Sequence, residues 1–331
     1  MHARMLYFDL WHGIVLRPSF PFDSLADQFP VILYLLVWLV PIMADDCSCA
    51  SSSTAIVPFT PLLLGPLLKR EQHYHFANLA PSEVVLQQRW REGGAGTGSA
   101  AWSASHVLAE LLCRGASSLA CDLRAEKDPA AGSCASALPE TWHGARAIEL
   151  GAGLGLTAIV AARLGMRVVA TDGDEPTLPL LRANLATNGV VTALLGEDSE
   201  SEGKKGGWAS SSSNASVELL KWGANDNATG RTPPDLIFAA DVVYGEDLSV
   251  WRALAQTLQD ISGERTVVLI SQTTRYAEKE SIFYRLLRRH FKCARLPQSS
   301  LHSRFANRRT AEGDLLFNVY ACVKQRKSTQ K

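Results

Sequence analysis

Residues 148–155 read Ile-Glu-Leu-Gly-Ala-Gly-Leu-Gly, and this stretch decides the fold. An apolar run that ends in three alternating glycines is typical of a strand that turns tightly into a helix. At such a turn, backbone N–H groups and a close approach of the chain favour a nucleotide-like ligand. A glycine motif alone is weak support, but Asp172 ends the next predicted strand, 21 residues after Gly151. A carboxylate at that place can accept both hydroxyls of a ribose.

The spacing of the glycines distinguishes two classes of ligand. The dinucleotide fingerprint requires its third glycine at position 156, which is Leu in this chain. Gly155 instead completes a Gly-x-Gly-x-Gly spacing. The pattern therefore favours adenosylmethionine over a nicotinamide dinucleotide. Glu149, in the strand before the turn, is expected to brace the turn rather than to bind the ligand.

Strands and helices alternate on both sides of the turn. Apolar runs predict strands at 145–149, 167–171, 216–221, 235–240, 266–271 and 315–323. Helical spacing predicts helices at 103–112, 154–164, 176–188, 248–261 and 277–291, the first of them capped by Ser103. This alternation predicts an α/β fold whose parallel sheet binds ligands at the carboxyl ends of its strands. A short hairpin is expected before it, with strands near 74–76 and 84–87.

The 331 residues fit one α/β domain with insertions, which we place at 72–323. Segments 113–140 and 196–215 are predicted to be loop insertions, because they consist of small and polar residues without a period. Residues 1–71 are predicted to form a poorly ordered lead-in, with Met43 as an alternative start, and 324–331 a basic tail.

Composition and charge narrow the class of protein. With 47% hydrophobic and 20% charged residues, global disorder is excluded. Basic and acidic residues balance over the chain, but residues 284–331 hold 12 Lys and Arg against two acids. Such an end could meet nucleic acid or an acidic protein, or be plain solvated surface. The apolar run at 31–43 is too short to span a bilayer, and the seven cysteines lack a metal-binding spacing.

Four separated pieces of the chain resemble the seven-stranded methyltransferases, and specifically the protein lysine methyltransferase family known as methyltransferase family 16. The pieces are Ala-Ala-Trp at 100–102, the glycine turn at 148–155, Leu-Lys-Trp-Gly at 220–223 and Ala-Ala-Asp-Val-Val-Tyr at 239–244. The resemblance covers residues 72–323 and implies a Rossmann-like seven-stranded sheet, mostly parallel, with a short N-terminal β-hairpin. It also implies methyl transfer from S-adenosylmethionine to a lysine of a protein, such as a chaperone or an elongation factor, in the cytoplasm or the nucleus.

The resemblance assigns roles residue by residue. Trp102 would pack on the methionine end of the cofactor, and Asp172 would bind the ribose. Trp222 would flank the adenine, and Ala240 would contact it. The backbone side of the cofactor would be lined by Gly151, Ala152 and Gly153. Asp241 and Tyr244 are the expected catalytic residues, because they would shape the channel through which the acceptor lysine arrives.

The chemistry fits these roles. Methyl transfer to nitrogen needs mainly alignment of the reacting atoms at about 3–3.5 Å, and neither a metal nor a covalent intermediate. The acceptor lysine must lose its proton, although its pKa is about 10.4 in water. Asp241 can hold the arriving ammonium and Tyr244 can orient the amine, whereas no general base is evident. Three alternatives stay open: a methyltransferase acting on nucleic acid or a small molecule, a catalytically silent binding module, and a nicotinamide oxidoreductase.

Overall fold

The structure is a computed structural model, and it describes residues 69–89, 97–192, 213–224, 232–245 and 247–325. The predicted lead-in and the start at Met43 therefore lie outside the described residues, apart from 69–71. The same is true of most of the predicted loop at 196–215 and of the tail beyond Gln325.

A seven-stranded sheet forms the centre of the molecule, as predicted. A two-stranded antiparallel hairpin, β1 (Glu71–His75) and β2 (Glu83–Gln87), precedes it. The sheet consists of β3 (Arg146–Leu150), β4 (Arg167–Asp172), β5 (Ala215–Leu219), β6 (Leu236–Ala240), β7 (Val267–Thr273), β8 (Phe291–Arg295) and β9 (Phe317–Lys324). Its strand order is β5-β4-β3-β6-β7-β9-β8, and only the pairs that involve β9 are antiparallel. The predicted fold class is confirmed.

Helices cover both faces of the sheet. They are α1 (Ser103–Cys113), α2 (Ala116–Ala125), α3 (Pro129–Ala137), α4 (Leu156–Arg163), α5 (Leu178–Thr187), α6 (Leu248–Ile261) and α7 (Ala277–Leu287). One apolar cluster packs the hairpin and the five helices from α1 through α5 against one face of the sheet. A second cluster packs α6 and α7 against the other face. Strand residues alternate between the clusters: Phe238 lies in the first and Ile237 in the second. This period of two is what a sheet buried on both faces requires.

The prediction of a loop at 113–140 was wrong, because most of this segment forms α2 and α3. Their small residues hide a helical face, since Leu119 and Leu123 lie four apart and are both fully buried. Ala also has the highest helix propensity of all residues. The Asp128 side chain caps α3 by accepting a hydrogen bond from the Ala130 amide at 2.8 Å, with Pro129 as the first helical residue. Asp128 and Pro129 are therefore a sequence signal for the start of a helix, which the small and polar composition of the segment obscured.

Two further boundaries differ from the prediction. The helix expected at 277–291 ends at Leu287, and β8 begins at Phe291. Phe291 fits both patterns, because it lies four residues after Leu287 and also faces inward in a short strand. Ser103 does not cap α1: Trp102 occupies the capping position, and no side chain caps this helix.

Two asparagines of the α5 region attach the hairpin to the domain. Asn184 accepts a hydrogen bond from the Gln87 amide at 2.8 Å and donates to the Gln87 carbonyl at 3.0 Å. Asn188 accepts from the Val85 amide at 2.9 Å and donates to the Val85 carbonyl at 2.6 Å. The two side chains thus satisfy the free backbone edge of β2 as a neighbouring strand would.

Candidate active site

The glycine turn lies at the carboxyl end of β3, where a close approach of other chain segments excludes side chains. Gly151 and Gly153 have positive φ angles of 65° and 53°. A Cβ at Gly151 would lie 3.1 Å from Val242 and 3.5 Å from the Trp222 ring, and one at Gly153 would lie 3.0 Å from the Gly98 carbonyl oxygen. The bare backbone therefore forms a cradle between Trp222 on one side and the 97–99 turn on the other.

Asp172, the last residue of β4, supports this cradle directly. Its Oδ2 accepts a hydrogen bond from the Gly153 amide at 2.9 Å, and its Oδ1 accepts one from the Asp174 amide at 2.9 Å. Burial raises the pKa of Asp172, while these amides act to lower it. Each carboxylate oxygen has about two lone pairs, so an oxygen that accepts one amide hydrogen bond can also accept from a further donor such as a ribose hydroxyl.

The adenine side of the predicted site is formed by residues that follow β5 and end β6. Trp222 is half-buried, and the next residue, Gly223, is anchored by a 2.8 Å hydrogen bond from its amide to Thr257 Oγ1. Ala240 is half-buried at the end of β6, beside the neighbouring strand β7. Ala152, within the turn, is 8% exposed. These residues reach the same edge of the sheet because β3, β4, β5 and β6 run parallel.

Trp102 lies at the start of α1, where its indole nitrogen donates to the Thr97 carbonyl at 2.9 Å. This bond ties the tryptophan to the 97–99 turn that also approaches Gly153. The guanidinium of Arg275 lies over the Trp102 ring, with its central carbon 5.4 Å from the ring centroid. Trp102 therefore connects the glycine turn to the chain after β7.

Asp241 and Tyr244 follow β6 but differ in their surroundings. Asp241 is buried, has a positive φ of 57°, and forms an ion pair with Arg275 at 3.0 Å. Tyr244 is 51% exposed, and its backbone carbonyl accepts a hydrogen bond from the Trp251 indole at 3.1 Å. Gln272 of β7 holds the segment between them by donating to the Val243 carbonyl at 3.0 Å.

Arg275 and Thr273 are site residues that the sequence reasoning missed. Both stand at or just after the carboxyl end of β7, and that place is the signal which could have identified them. The position alone, however, does not indicate that either side chain turns toward Asp241.

Glu149 lies in β3 directly before the glycine turn, and its role as a brace of that turn stays a prediction. Its side chain is 2% exposed, and its Oε2 has no hydrogen-bond partner among the described residues. Burial raises the pKa of Glu149 to about 8. Its backbone carbonyl, rather than its carboxylate, accepts a 2.7 Å hydrogen bond from Thr171 Oγ1 and so links β3 to β4.

The described residues lack two further kinds of feature. They contain no group of three or more His, Cys, Asp or Glu side chains placed to hold a metal ion. No helix among them is long and apolar enough to cross a membrane.

The sheet order, the glycine turn and the carboxylate that ends β4 together define a Rossmann-like methyltransferase. The chain belongs to the lysine methyltransferase family, whose sequence profile matches residues 82–290. The resemblance drawn from the four motifs is thereby confirmed. The protein is an S-adenosylmethionine-dependent methyltransferase whose acceptor is a lysine of a protein.

Individual relatives agree with the family. Protein N-lysine methyltransferase METTL21A of Danio rerio is 30% identical over 279 residues, a match that covers 83% of this chain and 99% of that protein. The Mus musculus METTL21A is 29% identical over 264 residues, covering 79% of this chain and all of that protein. Among solved structures, the T. thermophilus 16S rRNA N2 G1207 methyltransferase RsmC superposes with a TM-score of 0.46 at 16% identity, covering 78% of this chain and 52% of that one. The roles assigned to single residues stay predictions.

Proposed function

We propose that S-adenosylmethionine binds in the cradle at the carboxyl ends of β3, β4 and β6, and that the acceptor lysine of the substrate protein arrives beside Asp241 and Tyr244. The single observation that carries this proposal is the hydrogen bond between Asp172 and Gly153, which joins a ribose-type carboxylate to a turn with no room for a side chain at Gly151 or Gly153. The residues proposed to hold the cofactor are Trp102, Gly151, Ala152, Gly153, Asp172, Trp222 and Ala240.

The cradle fits the parts of this cofactor. The Asp172 carboxylate, at the end of β4, is of the type that accepts the hydroxyls of a ribose. In this proposal Trp222 and the small Ala240 flank the adenine, and the Trp102 ring packs on the methionine end of the cofactor. When bound, the cofactor supplies an electrophilic methyl group. The protein supplies the alignment of that group with the acceptor.

The acceptor side must receive a lysine that has lost its proton. Only about 0.1% of free lysine side chains are neutral near pH 7.4, so activity is expected to rise between about pH 7 and 9. The half-exposed Tyr244 is placed to orient the amine through its hydroxyl, at the rim of the site. A lysine on a protein surface can reach such a rim without entering a deep pocket.

The substrate class and the compartment form the finer part of the proposal. We infer a chaperone or an elongation factor as the substrate, and the cytoplasm, or else the nucleus, as the compartment. All five cysteines of the described residues are free thiols, which fits a reducing compartment.

A labelling experiment tests the proposal. The protein is incubated with radiolabelled S-adenosylmethionine and a cell extract, and the labelled protein and residue are identified by mass spectrometry. We expect label on a lysine of one or a few proteins, and a reduction of that label by about tenfold or more at subsaturating cofactor when Asp172→Ala replaces the unmutated enzyme. Label in RNA or in a small metabolite would contradict the lysine acceptor, and label on a secreted protein alone would contradict the compartment.

A further inference from the structure

The Asp241 carboxylate has no free place for an acceptor amine. A carboxylate offers about four lone-pair sites. Oδ1 accepts from Arg275 Nη1 at 3.0 Å and from the Thr273 amide at 3.0 Å. Oδ2 accepts from Arg275 Nη2 at 3.0 Å and from Thr273 Oγ1 at 3.1 Å. An arriving ammonium would have to displace one of these donors from a side chain that is 3% exposed.

Arg275 holds a permanent positive charge at this place. Burial alone would lower its pKa, but the charge and hydrogen bonds of Asp241 outweigh that effect and raise the pKa above its ordinary value. A bidentate pair also fixes the plane of the guanidinium, which a lysine ammonium cannot do. The same guanidinium lies over the Trp102 ring, so one side chain links the ends of β6 and β7 to the start of α1.

The other ionisable groups near the pair come from the start of α7. Glu280 Oε1 accepts hydrogen bonds from the Arg275 amide at 2.8 Å and the Tyr276 amide at 3.3 Å. Burial raises the pKa of Glu280, although these amides and Arg275 act to lower it. Tyr276 is 45% exposed, and the Lys279 ammonium lies 4.8 Å from its ring centroid. These groups are unchanged in the variants below, so differences between variants report on Asp241 and Arg275.

We propose that Arg275 is a positioning residue that neutralises Asp241 and supports Trp102, so that the acceptor lysine is received as an uncharged amine. This inference rests on the proposed function. A lone carboxylate beside the acceptor would stabilise the ammonium form, which has no lone pair with which to attack the methyl group. Pairing with Arg275 removes that attraction, and Asp241 then anchors the arginine instead of holding the substrate.

The proposal is tested by the pH dependence of label transfer into the protein band that the unmutated enzyme labels in cell extract. In Arg275→Gln, the unpaired carboxylate should favour the ammonium form of the bound lysine. We expect the rising part of the rate profile to move upward by about one pH unit, and the rate at pH 7.5 to fall about tenfold or more.

Three further variants separate charge from shape. Asp241→Asn leaves the guanidinium without its partner, so the rising part should move to lower pH while the maximal rate falls by about 10²-fold. The double variant Arg275→Gln with Asp241→Asn removes both charges and should return the profile to within a few tenths of a pH unit of its original position. Arg275→Lys keeps the positive charge but loses the two parallel hydrogen bonds of the guanidinium to Asp241. It should therefore lower the rate without moving the pH profile.

Arg146→Gln is the matched control. Arg146 forms a bidentate pair with Asp235 at the amino ends of β3 and β6, away from the proposed site, with Nη2 3.0 Å from Oδ1. Its loss should lower the thermal unfolding temperature without moving the pH profile. If the pH profile of Arg275→Gln does not move, the inference about Arg275 is overturned while the proposed function stands. If Arg275→Gln does not fold, an unmoved pH profile in Asp241→Asn has the same meaning. Absence of any labelled band with the unmutated enzyme would overturn the proposed function and this inference with it.

Discussion

Asp172 has two roles, and one substitution affects both of them. It accepts hydrogen bonds from two backbone amides and, by our proposal, from the cofactor ribose. Asp172→Ala should therefore weaken S-adenosylmethionine binding about tenfold or more, as measured by titration calorimetry. Because two amides lose their acceptor, the variant should also be less stable by about 1–3 kcal/mol.

The neighbouring Asp174 provides the control for this substitution. Its Oδ2 accepts a hydrogen bond from Thr177 Oγ1 at 2.9 Å, in the same turn. Asp174→Ala should leave the affinity for S-adenosylmethionine within a few fold of its original value. Equal losses of affinity in the two variants would show that the turn, rather than the Asp172 carboxylate, determines binding.

Glu149 should make the stability of the protein depend on pH. The folded protein keeps the Glu149 proton up to about pH 8, whereas the unfolded chain releases it near 4.5. The unfolded state therefore binds fewer protons between these values, and the free energy of unfolding falls as the pH rises through this window. The loss could reach about 3–5 kcal/mol.

Glu149→Gln removes this titration without changing the shape of the side chain. We expect urea unfolding of the variant to show a weaker decline of stability between pH 5 and 8 than the unmutated protein, and higher stability at pH 8. Parallel curves for the two proteins would contradict a raised pKa for Glu149.

At the scale of elements, the attachment of the hairpin depends on side chains rather than on a strand ladder. Asn184→Ala removes the acceptor of the Gln87 amide and the donor to the Gln87 and Leu154 carbonyls. We expect a loss of about 2–4 kcal/mol in the free energy of unfolding. Hydrogen exchange of the Gln87 amide should accelerate in particular.

Asn78, an exposed asparagine between β1 and β2, supplies the comparison. Asn78→Ala should change stability by no more than about 0.5 kcal/mol. Similar effects of the two substitutions would contradict a structural role of the Asn184 hydrogen bonds.

The elements also show where sequence patterns mislead. The strong pattern of α6, which places Trp251, Leu254 and Leu258 on one buried face, was predicted with correct bounds. Helices α2 and α3 were missed, because the small and polar residues between their buried positions are typical of loops as well as of helices. The edge strand β8 was hidden by an apolar residue that also suited the preceding helix.

At the scale of the whole molecule, the proposed cofactor contacts all lie at or after Trp102. A chain that begins at Met43 should therefore be soluble and should bind S-adenosylmethionine with the affinity of the full chain in calorimetry. Aggregation or loss of binding in the shortened chain, while the full chain stays soluble and active, would contradict this expectation.

The sequence by itself determined the class of fold and the family, and it predicts the place of the cofactor. Those features depend on short stretches of sequence. They are the glycines that a tight turn requires, a carboxylate at a defined number of residues after that turn, and apolar residues that recur with periods of two and of 3.6. Only the tertiary structure decided that Asp241 is neutralised by Arg275 and that Asn184 completes the edge of β2. Each of these pairs joins residues far apart in the chain, and the packing of separate elements, which no single segment encodes, brings them together.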